Sequence, residues 1–443
     1  MDMNSAADQV ERFDPQSPHQ VAQRLGSFID QCPTPYHVVA NASDRIAAFG
    51  VPPVDIAEPW GTGARCGQVV QGGTLVAWSL PDDWTPRDGM RIIAAHTDSP
   101  GLRLKPHPLG AGAGWATLNV EVYGGPILHT WTNRPLIIAG RVFVRGADAP
   151  LLVASTDPVA QIPSVAIHLD RQVNAEMRIN AQRDTLGVVG LMHSDSVADV
   201  FAATEELAGF AFGDVEGYDL MLVDAQDSVL IGAERELLSA PRLDNLCSSF
   251  CAIEAAAAPM KSGLGGPGVV LALFDHEEVG SVSGVGANSE WLGGILSRAM
   301  STLGYGFDDY RVALANSWLC SADMAHATHP ARPELSDPNH AVIPGGGPVL
   351  KFNASLRYTT DGESAAYMAQ VADDAEVPLQ RFVMRNDMPC GSTVGPSLAS
   401  QLGVRAVDIG APQLSMHSCR ELMATGDVAM YLDVMKSFLT YRP

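Results

Sequence analysis

The chain has 443 residues, 46% of them hydrophobic, room for two to four ordinary domains at roughly 100–200 residues each. Its 50 acidic and 28 basic side chains leave a formal charge of −22, and a surface of that sign repels nucleic acid and anionic membranes. The seven cysteines are odd in number, and Cys247 and Cys251, at i, i+4, have no second pair with metal-finger spacing. Buried thiols are therefore expected in place of a disulfide framework.

Residues 1–17, MDMNSAADQVERFDPQS, lack a basic start followed by an apolar run. They read as a loose polar arm and not as a secretory signal. No stretch reaches the roughly 18 apolar residues of a membrane span. A soluble protein of a reducing, cytoplasmic compartment is expected. Between Gln20 and Cys32 the residues Val21, Leu25, Phe28 and Ile29 share one helical face. Short apolar runs then predict four buried strands: Arg91–Ala95, Val269–Phe274, Val312–Ala315 with a tail through Leu319, and Val404–Ile409. Asn245–Ala258 reads as a helix. Helix-length segments between the strands give the pattern of a mostly parallel α/β sheet.

From about Gly101 to Leu238 the texture changes to short β-like pieces, WATLNVEVYGG, LIIAGRVFVRG and SVAIHLD. The expected division is an α/β catalytic domain from residues 1–100 and 239–443, with a β-rich domain, 101–238, inserted into it. The Gly/Pro-rich stretch 262–268 reads as a turn before the second strand.

Each predicted strand runs into side chains that bind metals. His96 and Asp98 follow the first, Glu277 and Glu278 the second, Asp323 the third and His417 the fourth. Asp244, in PRLDNL, opens the predicted helix. Ligands collect at the carboxyl ends of parallel strands. Zinc takes imidazole nitrogen and carboxylate oxygen. Two ions sharing one carboxylate need one His and one further carboxylate each, a set that His96, Asp323, Glu278, His417 and a bridging Asp244 supply. Two zinc ions about 3.5–4 Å apart activate water and polarise a carbonyl. Asp98 is placed to hold the His96 imidazole, and Glu277 to act as general base toward the attacking water. Singly, each motif reads more simply: HxD as an accident, Glu-Glu as a solvated turn, SADMAHATHP as a capped helix start. Their recurrence at four strand ends favours a metal site.

The ordered blocks AAHTDSPGLRLKP, SVAIHLDRQVN, PRLDNLCSSF, LFDHEEVGS, SADMAHATHP, VLKFNASLRYTT, MRNDMPCGSTVGP and LSMHSCRE resemble the aspartyl aminopeptidase family of dinuclear zinc exopeptidases, from Pro33 onward. The resemblance implies a zinc-exopeptidase α/β fold with an inserted oligomerisation domain. It implies two zinc ions per subunit, with manganese or cobalt as substitutes. His96 and Asp323 would serve one ion, Glu278 and His417 the other, with Asp244 bridging and Glu277 as base. His168 would reach substrate in a neighbouring subunit, and His326, Lys351 and Tyr358 would contact it too. It further implies a homododecamer that removes N-terminal residues, Asp or Glu by preference, from peptides. ARPEL after HATHP, and the glycine-rich PNHAVIPGGGPV, depart from the family pattern near the pocket. A neutral-residue or broad aminopeptidase, a dinuclear carboxypeptidase or deacylase, and a non-enzymatic assembly protein are the alternatives. The last predicts loss of a ligand or of Glu277, and all are present.

Overall fold

The computed structural model describes residues 17–191, 214–262 and 265–442. Residues 1–16 of the expected polar arm, and part of the turn at 262–268, lie outside them.

Eight strands form the central sheet, in the order Cys66–Gln71, Thr74–Ser79, Gly268–Phe274, Met90–His96, Trp318–Ala322, Arg405–Gly410, Val349–Phe352 and Gln380–Val383. The four middle strands are parallel. Their register sets Phe274 beside His96, Ser321 beside Ala94 and Ala322 beside Ile409, so all four end on the same edge. Side chains alternate between the two faces, as the period of a strand requires. Ile93, Ala95, Leu271, Leu273, Cys320 and Val407 join a core with the helices Pro18–Gln31, Leu243–Ser262 and Thr425–Thr440. Ile92, Ala94, Val270, Ala272, Phe274 and Leu319 join a second core with Trp291–Thr302, Phe307–Ala315 and Val394–Leu402. A sheet covered on both faces explains why its strands are continuous apolar runs.

One expected strand is corrected. Val312–Ala315 is the last turn of the helix Phe307–Ala315, and the strand is Trp318–Ala322. The Gly306 amide donates to Asp309 at 2.9 Å and starts the helix, whose buried residues Tyr310, Ala313 and Leu314 keep i, i+3, i+4 spacing. Four apolar or small residues in a row do not separate the two periods. The SVAIHLD segment is likewise no strand: residues 163–170 form an exposed loop. The MAHATHP segment holds the short strand Ala325–His326 and no helix.

Two further sheets complete the fold. Six antiparallel strands between Gly101 and Asp224 form a sheet with its own apolar core around Leu102, Leu118, Leu136, Ile138, Leu220 and Leu222. A five-stranded sheet joins Val229–Ile231 and Leu237–Ala240 to Glu421–Ala424, Pro412–Leu414 and Ala325–His326. Through Leu237–Ala240, the chain that follows the six-stranded sheet is tied to the segment just after His417. The seven cysteines are free, and five of them are buried. Among the described residues no helix is long and apolar enough to cross a membrane.

Candidate metal centre

The common carboxyl edge of the four parallel strands brings six of the singled-out side chains together. His96 ends its strand, and Asp323 follows Ala322 directly. Asp244 and Asn245 have non-helical backbone at the start of Leu243–Ser262, and Asn245 Nδ2 donates to the Ala322 carbonyl at 2.9 Å. Glu277 and Glu278 form a single short turn after Phe274. His417 stands in a tight bend with φ +67.

Asp244 lies between the two histidines. Its Oδ1 is 3.3 Å from His96 Nε2, and its Oδ2 is 3.3 Å from His417 Nε2. Asp323 Oδ1 is 3.6 Å from His96 Nε2, and Glu278 Oε1 is 3.5 Å from His417 Nε2. Two triads result, His96–Asp244–Asp323 and Asp244–Glu278–His417, each with ligand atoms within 4.8 Å of one another, and Asp244 is common to both. Glu277 joins a third set with His96 and Glu278. Asp244 Oδ1 and Glu278 Oε1 are buried without a hydrogen-bond partner among the described residues. Buried carboxylate oxygens rarely lack donors, so these atoms fit a cation. The donor set, imidazole plus carboxylate, is the one zinc takes in catalytic sites.

The surroundings orient these groups. His96 Nδ1 donates to the Asp98 carbonyl at 2.9 Å, whereas the Asp98 carboxylate is 3.5 Å away. The expected hold on the imidazole is thus made mainly by backbone. The Asp98 carboxylate instead accepts the Glu277 and Glu278 amides, at 3.1 Å each, and so sets their turn. Ser249 Oγ donates to the His96 carbonyl at 2.7 Å, and Ser99 Oγ to the Asp244 carbonyl at 2.6 Å.

Glu421 was not singled out in the sequence, yet it ties the two halves together. Its Oε2 accepts the Asp244 amide at 3.0 Å, and its Oε1 the His417 amide at 2.7 Å. The only signal for it is its place four residues after His417 in MHSCRE. Tyr123 and Gly125 were missed too, because they reach the centre from the six-stranded sheet. Tyr123 donates to Asp98, and Gly125 accepts from His417.

Charge crowding shows in the acidities. Burial pushes the Glu277 carboxyl up to about 8, with His96 opposing and Asp323, Asp98 and Asp244 adding. Burial likewise raises Glu278 well above the carboxylate range, with Asp244 the next contribution. His96 lies well above its ordinary value: burial opposes protonation, but Asp244, Asp323 and Asp98 outweigh it. His417 is raised against burial by Asp244.

The remaining singled-out residues divide. Lys351 is buried, donates to the Met324 carbonyl at 3.1 Å, stands 3.4 Å from Asp323 Oδ2, and points its ammonium at the Tyr358 ring, 5.1 Å away. His326 has its ring edge-on to Phe382 at 5.9 Å, and desolvation followed by the Lys351 charge lowers its pKa. His168 is exposed on the 163–186 loop and has no hydrogen bond or ion pair among the described residues.

A carboxylate-rich centre with two imidazoles, at the carboxyl edge of a doubly covered α/β sheet, defines a metal-dependent hydrolase. The chain belongs to the M18 peptidases, the family described as aminopeptidase I zinc metalloprotease, whose model matches residues 28–439. It is 42% identical over 428 residues to the "Probable M18 family aminopeptidase 2" of Mycobacterium tuberculosis, covering 95% of this chain and 98% of that one. Among solved structures it superposes on the cryo-EM structure of the Ape4 and Nbr1 complex with a TM-score of 0.91 and 34% identity, covering 95% of this chain and 86% of that one. The S. cerevisiae mApe1 dodecamer gives a TM-score of 0.84 and 28% identity, covering 96% and 98%. The chain is a metallo-aminopeptidase, a hydrolase acting on peptides.

Ligation requires neutral imidazole and ionised carboxylate, so a metal ion held by His96, His417 and Glu278 would have to displace protons from groups that their surroundings hold above their usual pKa values. Metal affinity is therefore expected to rise with pH through the ordinary imidazole range and to keep rising above it, with protons released on binding. Competition titrations against a chelator, run at several pH values in weak buffer, measure both quantities. Affinity independent of pH contradicts the assignment.

Proposed function

We propose that the enzyme holds two zinc ions and releases N-terminal residues, Asp and Glu by preference, from peptides. His96 and Asp323 hold one ion, Glu278 and His417 the other, and Asp244 both. The observation that carries this reading is the split of Asp244, whose two oxygens face two different histidines at the same 3.3 Å. Zinc, when bound, supplies Lewis acidity toward the scissile carbonyl and lowers the pKa of water. Glu277 is the general base. It stands beside a ligand, in a turn anchored by Asp98, and burial holds its proton affinity near 8, within reach of neutral pH. It takes the proton of the attacking water and returns it to the leaving amine.

We read residues 1–100 and 239–443 as the catalytic domain and 101–238 as an inserted oligomerisation domain. The apolar core of the six-stranded sheet, drawn from residues 101–238 apart from Cys419, supports this division. We also read the protein as a cytoplasmic homo-oligomer, a dodecamer on the pattern of mApe1. In support, the 163–186 loop exposes Val165, Ile167, Leu169 and Met177 beside His168, an apolar arm suited to a neighbouring subunit's site.

The acidic preference rests on Lys351, a buried ammonium at the edge of the centre, with His326 and Tyr358 as further substrate contacts. One observation favours a second reading, an aminopeptidase for neutral residues: Lys351 already bears on Asp323 and the Met324 carbonyl. Its charge then serves a ligand and not a substrate.

Two variants test these roles. Glu277→Gln is expected to keep the zinc content of the wild type and lose about 10²–10⁴ in kcat, the worth of a general acid–base group. Parallel loss of zinc and activity identifies Glu277 as a ligand instead. Lys351→Met removes the charge and keeps the stem. On a panel of aminoacyl-nitroanilides it is expected to cost Asp and Glu substrates about 2–4 kcal/mol of transition-state binding, the cost of breaking a buried charge pair, with Leu and Ala substrates nearly untouched. An equal drop across the panel assigns Lys351 to Asp323 and supports the second reading.

A further inference from the structure

The strand Trp115–Tyr123 leaves the six-stranded sheet and runs through Gly124, Gly125 and Pro126 along the metal centre. Tyr123 Oη donates to Asp98 Oδ2 at 2.7 Å. Two residues on, the Gly125 carbonyl lies 3.2 Å from His417 Nδ1, and the Ile127 amide donates to the His417 carbonyl at 2.8 Å. A carbonyl only accepts, so this contact keeps the proton on Nδ1 and leaves Nε2 free toward Asp244 and Glu278. Gly124, in the left-handed region, permits this approach, and Gly125 leaves ordinary van der Waals space beside the imidazole. A Cβ on Gly124, at φ +68, would stand 3.2 Å from Glu278 Cβ, and one on Gly125 would stand 3.7 Å from His417 Nδ1.

Asp98 is where this segment meets the catalytic turn. Its carboxylate is buried and accepts from Tyr123, the Glu277 amide and the Glu278 amide. Both amides belong to the turn that carries the base and a ligand. The tyrosine hydroxyl comes from a different sheet. Without it, Oδ2 keeps only the Glu278 amide, and a buried carboxylate short of donors shifts to find others. The turn above it then shifts as well.

We infer that Tyr123 is a positioning residue of the metal centre, holding Asp98 and through it the Glu277–Glu278 turn, while Gly125 and Ile127 hold His417. The six-stranded sheet is thereby part of the catalytic apparatus, because one of its strands and the turn after it set both halves of the centre. The inference deepens the two-zinc reading and rests on it.

The test uses the full-length protein. Tyr123→Phe keeps the ring, over which the Arg103 guanidinium sits at 5.8 Å, and removes only the hydroxyl. Val120→Ala loosens the same strand at a buried position in its core without touching Asp98. Zinc affinity is read by competition with a chelator, and kcat and KM are read at saturating zinc. Tyr123→Phe is expected to weaken zinc binding about 10- to 100-fold, as loss of an outer-shell partner does, and to lower kcat with KM unchanged. Val120→Ala is expected to lower the thermal midpoint and keep wild-type zinc affinity. Wild-type zinc affinity and kcat in Tyr123→Phe overturn the inference. Equal weakening in Val120→Ala also overturns it, since the effect then belongs to the sheet as a whole. A wild-type chain that binds one zinc sinks the two-ion reading separately and leaves the Tyr123 comparison standing.

Discussion

Five carboxylates, Asp98, Asp244, Glu277, Glu278 and Asp323, converge on one edge of a buried sheet, and their mutual repulsion is the constraint to which the rest of the structure answers. Like charges at such spacing cannot all ionise unless cations or donors compensate them. Three of them have compensation of their own. Asp98 has three donors. Asp323 has the buried Lys351 ammonium. Asp244 has two histidines, and Asp244 and Glu278 each keep one buried oxygen without a donor. The zinc ions proposed for this centre would supply the positive charge that these donors leave missing.

The scaffold makes that concentration possible. Four parallel strands, packed on both faces, hold their carboxyl ends in register. Side-chain hydrogen bonds to backbone carbonyls then fix the loops beyond them: Ser99 to Asp244, Ser249 to His96, Asn245 to Ala322. Glu421 draws the amides of Asp244 and His417 onto one carboxylate, so two proposed ligands distant in sequence share an anchor. Local order of this kind keeps ligands within the tolerance that metal chemistry demands.

Much of the centre was legible in the sequence, for a physical reason. A strand covered on both faces is a run of apolar residues, and the first polar residue after it lies at the sheet edge. His96, Glu277, Glu278 and Asp323 could thus be placed from the runs alone, although the third run was set a few residues early. Val312–Ala315 belongs to a helix, whose short apolar stretch has no distinguishing period. The outer contacts were illegible because they depend on tertiary approach. Tyr123 ends a strand of another sheet and Gly125 lies in the bend that follows, and nothing in WATLNVEVYGG announces that its end meets Asp98 and His417. Lys351 was read as a substrate contact from its block, whereas its bond to Met324 and its pairing with Asp323 need coordinates. The loop around His168 is exposed in the single chain, and the role proposed for it belongs to an assembly.

The central claim is that Asp244 is shared by two metal ions. Anomalous diffraction at the zinc edge from crystals of the zinc-loaded enzyme tests it most directly. The account predicts two peaks per chain, one among His96, Asp323 and Asp244, the other among Glu278, His417 and Asp244. A single peak, or two peaks of which only one touches Asp244, would contradict it.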